Sequence, residues 1–163
     1  MNLPEIYTIG VYGYSEREFF QKLTDNHIDT FCDILRRRAV RGSQYAFANS
    51  QRLQRKLSEL SINYHYEIEL APTVEVIEIQ NKFDKRYKIQ RRKREELSAD
   101  FKQAYTDKIL SHFDMEQFLT SLAGTGSKKV ALFCVERSPG ACHRSLVTKK
   151  IREVYPRIKI FHI

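Results

Sequence analysis

Apolar residues along this chain switch repeatedly between alternation and a spacing of three to four. Residues 5–10 (EIYTIG) are β-branched and aromatic and stop at Gly10, which predicts a strand. Ser15 with Glu18 three places on forms a capping-box pattern, and Phe19, Phe20 and Leu23 carry a helix toward Asn26. A second strand is predicted at 28–34, so strand, helix and strand make a right-handed parallel βαβ unit. A basic loop follows. Asn49 or Ser50 then caps a helix that buries Leu53, Leu57 and Leu60, and 63–66 reads as a third strand. Residues 67–72 read as loop, because Pro72 disfavours helix in the residue before it. Residues 81–96 are dominated by Lys and Arg. Leu97, Phe101, Tyr105 and Ile109 then recur every four residues, as one helical face does. Asp114 caps a further helix carrying Phe118, Leu119 and Leu122, stopped by Gly124 and Gly126. The strongest buried strand is 129–135, a helix is expected over 142–154, and 158–163 supplies a last strand after Pro156.

Strands alternating with helices predict an α/β fold, a three-layer Rossmann-like domain with a mostly parallel sheet of about five strands. The whole of 1–163 reads as one domain, with an expected strand order of 3-2-1-4-5. Ligands of such sheets bind beyond the carboxyl ends of the strands, where the order reverses. That places the site between the first and fourth strands, among the loops 10–14, 33–42 and 134–144. These are also the loops richest in Gly, Arg, Cys and His.

Composition narrows the class. A 42% hydrophobic share over 163 residues supports a folded chain. No apolar run reaches the roughly 18 residues a membrane span needs, and residues 1–5 lack the pattern of a signal peptide. Three cysteines make no disulfide framework, so a cytoplasmic protein with free thiols and no membrane partner is expected. The net charge of +8 favours polyanionic partners.

The segment 134–144 (CVERSPGACHR) carries the candidate chemistry. Cys142 is expected at a helix start, where free N–H groups favour a thiolate nucleophile; the alternative is a small buried residue. His143 beside it serves either in acid–base work or as a structural hydrogen-bonding group. Arg144 suits a phosphate or carboxylate, or else pairs with Asp33 or Glu136. Cys134, at the end of the buried strand, reads as a core residue. Gly140 stands where the arginine of a Cys-x5-Arg phosphatase loop belongs, which disfavours that reaction. Without a Cys-x-x-Cys pair, no metal is expected from Cys32, Cys134, Cys142 and His143. Gly10 lets backbone approach a ligand, and Asp33 acts as a base, holds a ribose or pairs with Arg36. Glu136 and Ser145 complete the candidate anion site with Arg36 and Arg144. Basic residues Arg37, Arg38 and Arg41 near Tyr45 and Phe47, together with Arg91 and Arg92, suit a nucleic-acid strand or a nucleotide.

The segments Tyr7-Thr-Ile-Gly10, Cys32-Asp33-Ile-Leu-Arg36, Arg41 to Phe47, Glu69 to Pro72 and Pro139-Gly-Ala-Cys142-His143-Arg144-Ser145 together resemble the family called domain of unknown function 488. The resemblance spans nearly the whole chain and implies a compact α/β fold with a polar pocket. The family pattern has Asp-Val-Arg where this chain has Asp33-Ile-Leu-Arg36, which moves the arginine by one place. The leading functional expectation is an enzyme acting on a phosphate-bearing substrate, a nucleotide or nucleic acid, with Cys142, His143 and Asp33 catalytic. The alternatives are a nucleic-acid-binding module without chemistry and a thiol-based redox or regulatory protein. The cofactor is left open.

Overall fold

In the computed structural model, which describes residues 2–39 and 42–163, strand β4 (Lys129–Phe133) lies at the centre of a five-stranded parallel sheet. Val130, Ala131, Leu132 and Phe133 are all fully buried, as suits a strand bonded on both edges and covered on both faces. One neighbour is β1 (Glu5–Ile9) and the other β2 (Thr30–Asp33); β3 (Asn63–Tyr66) and β5 (Ile160–His162) form the edges. The order is therefore β3-β2-β4-β1-β5, which corrects the expected 3-2-1-4-5 by exchanging the first and fourth strands. The most apolar strand takes the position with the least water. Ile9 and Asp33 are both level with Phe133, so the three inner strands end side by side.

Helices α1 (Glu16–Asp25) and α2 (Ser50–Glu59) cover one face, packing Phe19, Phe20, Leu23, Leu53 and Leu57 with Phe31 and Phe133. On the other face Val76, Phe101, Tyr105, Leu119, Val147 and Ile151 pack with Cys32, Val130 and Leu132. They come from α3 (Val74–Tyr87), α4 (Ala99–Tyr105), α5 (Met115–Gly124) and α6 (Arg144–Val154). No helix among the described residues is long and apolar enough to cross a membrane.

Local signals set several of these boundaries. The capping box forms, with Glu18 N–H donating to Ser15 Oγ at 3.2 Å and Ser15 N–H to Glu18 Oε2 at 2.8 Å. Asp114 caps α5 by accepting from Gln117 N–H at 2.9 Å. Leu97, Phe101, Tyr105 and Ile109 are all buried, Ile109 in a wide turn (Thr106–Leu110) that extends α4. Helix α3, the longest, starts just after the expected loop at 67–72 and runs into the basic tract that begins at residue 81, where the sequence pattern predicts no helix. Its buried positions are Val76, Gln80 and Asp84, so two of three are polar and the apolar period is lost. Helix α6 starts at Arg144, two residues later than expected, because Cys142 is extended (φ −143°, ψ 164°) after a 3-10 turn at Pro139–Ala141.

Candidate active site

The loop after β4 is held from three sides. Toward β1, Val11 and Tyr12 N–H groups both donate to Val135 C=O, at 3.1 and 3.0 Å. Gly10 allows this approach, since a Cβ there would lie 1.9 Å from Glu136 O and 2.7 Å from Arg144 Nη1. From α6, the buried Arg144 reaches back to donate to Glu136 O (2.7 Å), Arg137 O (2.9 Å) and, weakly, Cys134 O (3.5 Å). From the third side comes the segment that follows α3. There Arg94 Nη1 meets Asp84 Oδ2 at 2.6 Å and Nη2 meets Glu136 Oε1 at 3.1 Å, while Nε and Nη2 both donate to Ala141 O. Gln80 continues the network, donating to Asp84 Oδ1 (2.8 Å) and accepting from Ser98 N–H (2.9 Å). Arg91 adds a second cation to Glu136 Oε1 at 2.9 Å.

The loop so held brings three reactive side chains together. The sulfurs of Cys134 and Cys142 and a ring nitrogen of His143 lie within 4.8 Å of one another. Cys134 Sγ is 3.7 Å from His143 Nδ1 and 2.9 Å from Glu136 Oε2. His143 Nε2 lies 2.8 Å from Ile34 C=O, an acceptor only, so that nitrogen carries a hydrogen, and Nδ1, the nitrogen that faces the sulfurs, holds the lone pair of the neutral ring. Cys142 Sγ accepts from Arg144 N–H, at 3.3 Å, at the start of α6.

Electrostatics follow from burial and neighbours. Burial pushes the Cys134 thiol up, but hydrogen bonding from Cys142, the His143 ring and Arg144 outweigh it and bring the thiol well below its ordinary value. Cys142 goes the other way, raised by burial and by Cys134. Burial, then Cys134, raise Glu136 to about 7 against the opposing pull of Arg91 and Arg94. Burial lowers His143, yet Cys134 and the bond to Ile34 leave it raised overall.

These groups form the floor of a cavity of about 470 Å³ at the carboxyl ends of the inner strands. Leu35, Ile77, Leu97 and Phe101 give it apolar walls, and Arg36, Arg37 and Arg91 add positive charge. Arg37 is exposed and has no hydrogen bond or ion pair to another described residue. A wider depression of about 570 Å³ runs along β3 and α5, but it is lined by Glu67, Glu69 and Asp114 and, among the described residues, carries no thiol or arginine.

The expected site residues fall into three groups. Cys142, His143, Glu136, Arg37 and Arg91 line the cavity. Arg36 also lines it, but its Nε and Nη2 donate to Pro72 O and Ala71 O, both at 3.2 Å. The others serve the scaffold. Asp33 is not on the cavity wall; its buried carboxylate accepts from Leu35 N–H (3.0 Å) and Tyr64 O–H (2.6 Å), and burial raises its pKa. Arg144 holds loop carbonyls rather than facing the cavity, and Gly10 approaches that loop instead of a ligand. Ser145 donates to Cys142 O and lines a separate depression beside β5. Arg38 binds Tyr64 O–H and stacks 4.2 Å from the Tyr66 ring centre, and Arg92 lies over the rings of Tyr12 and Tyr45. Arg41 lies outside the described residues.

Cys134, Arg94, Gln80 and Asp84 went unrecognised. Cys134 reads as the last residue of a buried strand, and only its separation from Cys142-His143 hints at more. Gln80 and Asp84, four apart, would have shown a polar helical stripe had the helix been seen. Cys32 is packed in the apolar cluster with Leu97, Phe101 and Tyr105 and lies outside the group formed by the other two thiols.

A family model described as Domain of unknown function DUF488 matches residues 15–151. The chain belongs to that family. Searches of curated proteins and of solved structures return no match. The DUF488 match takes in every cavity-lining residue named above, from Leu35 to His143, and leaves out β1 with Gly10.

Proposed function

We propose that the protein is an enzyme that binds a phosphate-bearing substrate, a nucleotide or a nucleic-acid segment, in the cavity beyond β4. Its reacting centre is the cluster of Cys134, Cys142 and His143. The observation that carries this reading is a floor of two thiols and an imidazole under a rim that presents the exposed cation Arg37. The cavity is of the size small ligands occupy, with apolar walls and a few converging polar groups. Arg37 and Arg91 take the phosphate, Leu35 and Phe101 the apolar part, and His143 stands at the reacting atoms. Asp33 and Arg144 support the loops that hold these groups.

The test is calorimetric titration with inorganic phosphate, nucleoside monophosphates and a short oligonucleotide, followed by product analysis. Arg37→Ala is expected to weaken binding by roughly tenfold or more, as loss of a charged hydrogen bond does. His143→Ala is expected to keep binding and lose turnover. Absence of binding by every phosphate compound, or binding indifferent to Arg37→Ala and Arg91→Ala, refutes the reading. Binding of the oligonucleotide alone, with a steep salt slope and no product, assigns the surface to nucleic-acid binding without chemistry.

A further inference from the structure

We infer that Cys134, Cys142 and His143 form a binding site for one thiophilic divalent ion of the zinc type, with its fourth coordination position open to the cavity. The inference is independent of the substrate, since the ion is held by protein groups alone. Tetrahedral zinc with ordinary bond lengths places two thiolate sulfurs about 3.8 Å apart, and a sulfur and an imidazole nitrogen about 3.6 Å apart. Here Cys134 Sγ and His143 Nδ1 are 3.7 Å apart, and all three ligand atoms fall within 4.8 Å. The imidazole is also oriented as a ligand. With Nε2–H donating to Ile34 C=O at 2.8 Å, the free lone pair is on Nδ1, the atom that faces the thiols, and such a backbone partner fixes ring and tautomer in metal sites.

Charge balance favours the ion as well. Around the cluster, Arg91 and Arg94 pair with Glu136 and Asp84, while the buried Arg144 adds a third cation beside the loop. Whether the two protons of the cluster sit on both sulfurs or one has passed from Cys134 to His143, exchanging them for a dication leaves the net charge of the site unchanged. The exchange thus adds no net charge to a buried place, where an uncompensated charge is costly. Two sulfurs and one nitrogen suit zinc or cobalt better than magnesium or calcium, which take oxygen. All three ligands and Glu136 line the cavity, so the remaining position is reached by water or by a substrate oxygen. Three protein ligands with one open position are the arrangement of a catalytic rather than a structural zinc site.

The experiment is titration of the full, reduced chain with Co²⁺, using a reductant that does not bind metal. One equivalent is expected, with sulfur-to-cobalt charge-transfer absorption, the strong visible bands of tetrahedral cobalt, displacement by Zn²⁺ and release of protons. Cys134→Ser, Cys142→Ser and His143→Ala should each weaken binding by more than the roughly hundredfold that loss of an outer partner of a ligand costs, while Cys32→Ser leaves it unchanged. Zn²⁺ should also slow alkylation of Cys134 and Cys142 in the unaltered chain, a readout that stands if a variant does not fold. Failure of the reduced chain to bind an equivalent of Co²⁺, or binding that survives in all three variants, overturns the inference. Cobalt binding with no affinity for any phosphate compound keeps the metal site and refutes the substrate reading.

Discussion

Replacing Gly10 by alanine tests whether the loop after β4 has any slack. The added methyl would meet Glu136 O at 1.9 Å, and real Cβ atoms essentially never come within 3.0 Å of such a neighbour. The obstacle is backbone, so no side-chain rotation relieves it, and either β1 or the loop must move by about 1.1 Å. That motion strains the bonds to Val135 O from Val11 and Tyr12, now 3.1 and 3.0 Å, and the bond from Cys134 N–H to Ile9 O at 3.2 Å. It also disturbs Arg144, whose guanidinium is bonded to the carbonyls of Glu136 and Arg137. Taking about 1 kcal/mol for each of the three neutral bonds and about 1.5–3 for the charged donor, the cost comes to roughly 4.5–6 kcal/mol if all are lost. Overpacking alone costs about 1–3 kcal/mol, so the excess reports the loop's anchoring. Equilibrium urea unfolding measures it, and the midpoint is expected to fall by about 2–3 M at an ordinary slope. The control is Gly124→Ala, where nothing lies within 4 Å of the added methyl. A helical glycine-to-alanine change of this kind is neutral or slightly stabilising. If Gly10→Ala unfolds at the same urea concentration as Gly124→Ala, the close packing of β1 against the loop is wrong.

Arg94→Met leaves Asp84 and Glu136 without their shared buried cation and should cost about 3–5 kcal/mol. The double variant with Asp84→Asn should recover part of that loss in a urea-unfolding cycle. Asp33→Asn tests the buried carboxyl after β2. Because burial raises the folded pKa of Asp33, the native state holds its proton more tightly than the unfolded chain. The stability from this group is therefore present at low pH and lost as pH rises from about 4 through the raised value, so wild type should lose ground to Asp33→Asn over that window. Urea midpoints of both proteins across a pH series check it, and a constant difference would refute the shift. Cys32→Ala removes a fully buried side chain that is not in the thiol cluster and should lower stability without changing the alkylation rates of Cys134 and Cys142. A change in those rates, read by peptide mapping, would show that packing around Cys32 reaches the reactive loop.

The chain's patterning announces the layered α/β architecture and five of the six helices among the described residues nearly in place, most of them through an apolar stripe or a capping residue. Helix α3 escapes because its buried stripe carries Gln80 and Asp84, which exist to meet Ser98 and Arg94 rather than to pack in oil. Strand order escapes for another reason. Pairing partners are chosen by contacts across the whole chain, and local propensity says nothing about whether β1 or β4 sits beside β2. For the site, residue type located the loop, and Cys142 and His143 do face the cavity. Residue type could not tell which arginines stay available. Arg144 and Arg36 bind backbone carbonyls, an assignment made by fold geometry, whereas Arg37 keeps its charge exposed.

The central place of β4 has a consequence for synthesis of the chain. Strands β1 and β2 are made first but are not neighbours; they flank a gap that only residues 129–133 can fill. At ordinary strand spacing the gap is about 10 Å wide, and its two borders are unpaired apolar edges. Until the ribosome has released Phe133, the inner sheet cannot close, and pairings such as Glu5 with Lys129 span most of the chain. Such long-range closure is slow and leaves sticky edges open. Nascent or truncated chains ending before β4 should therefore aggregate or occupy chaperones, and the reactive loop, which follows β4 directly, can take shape only after the sheet has closed.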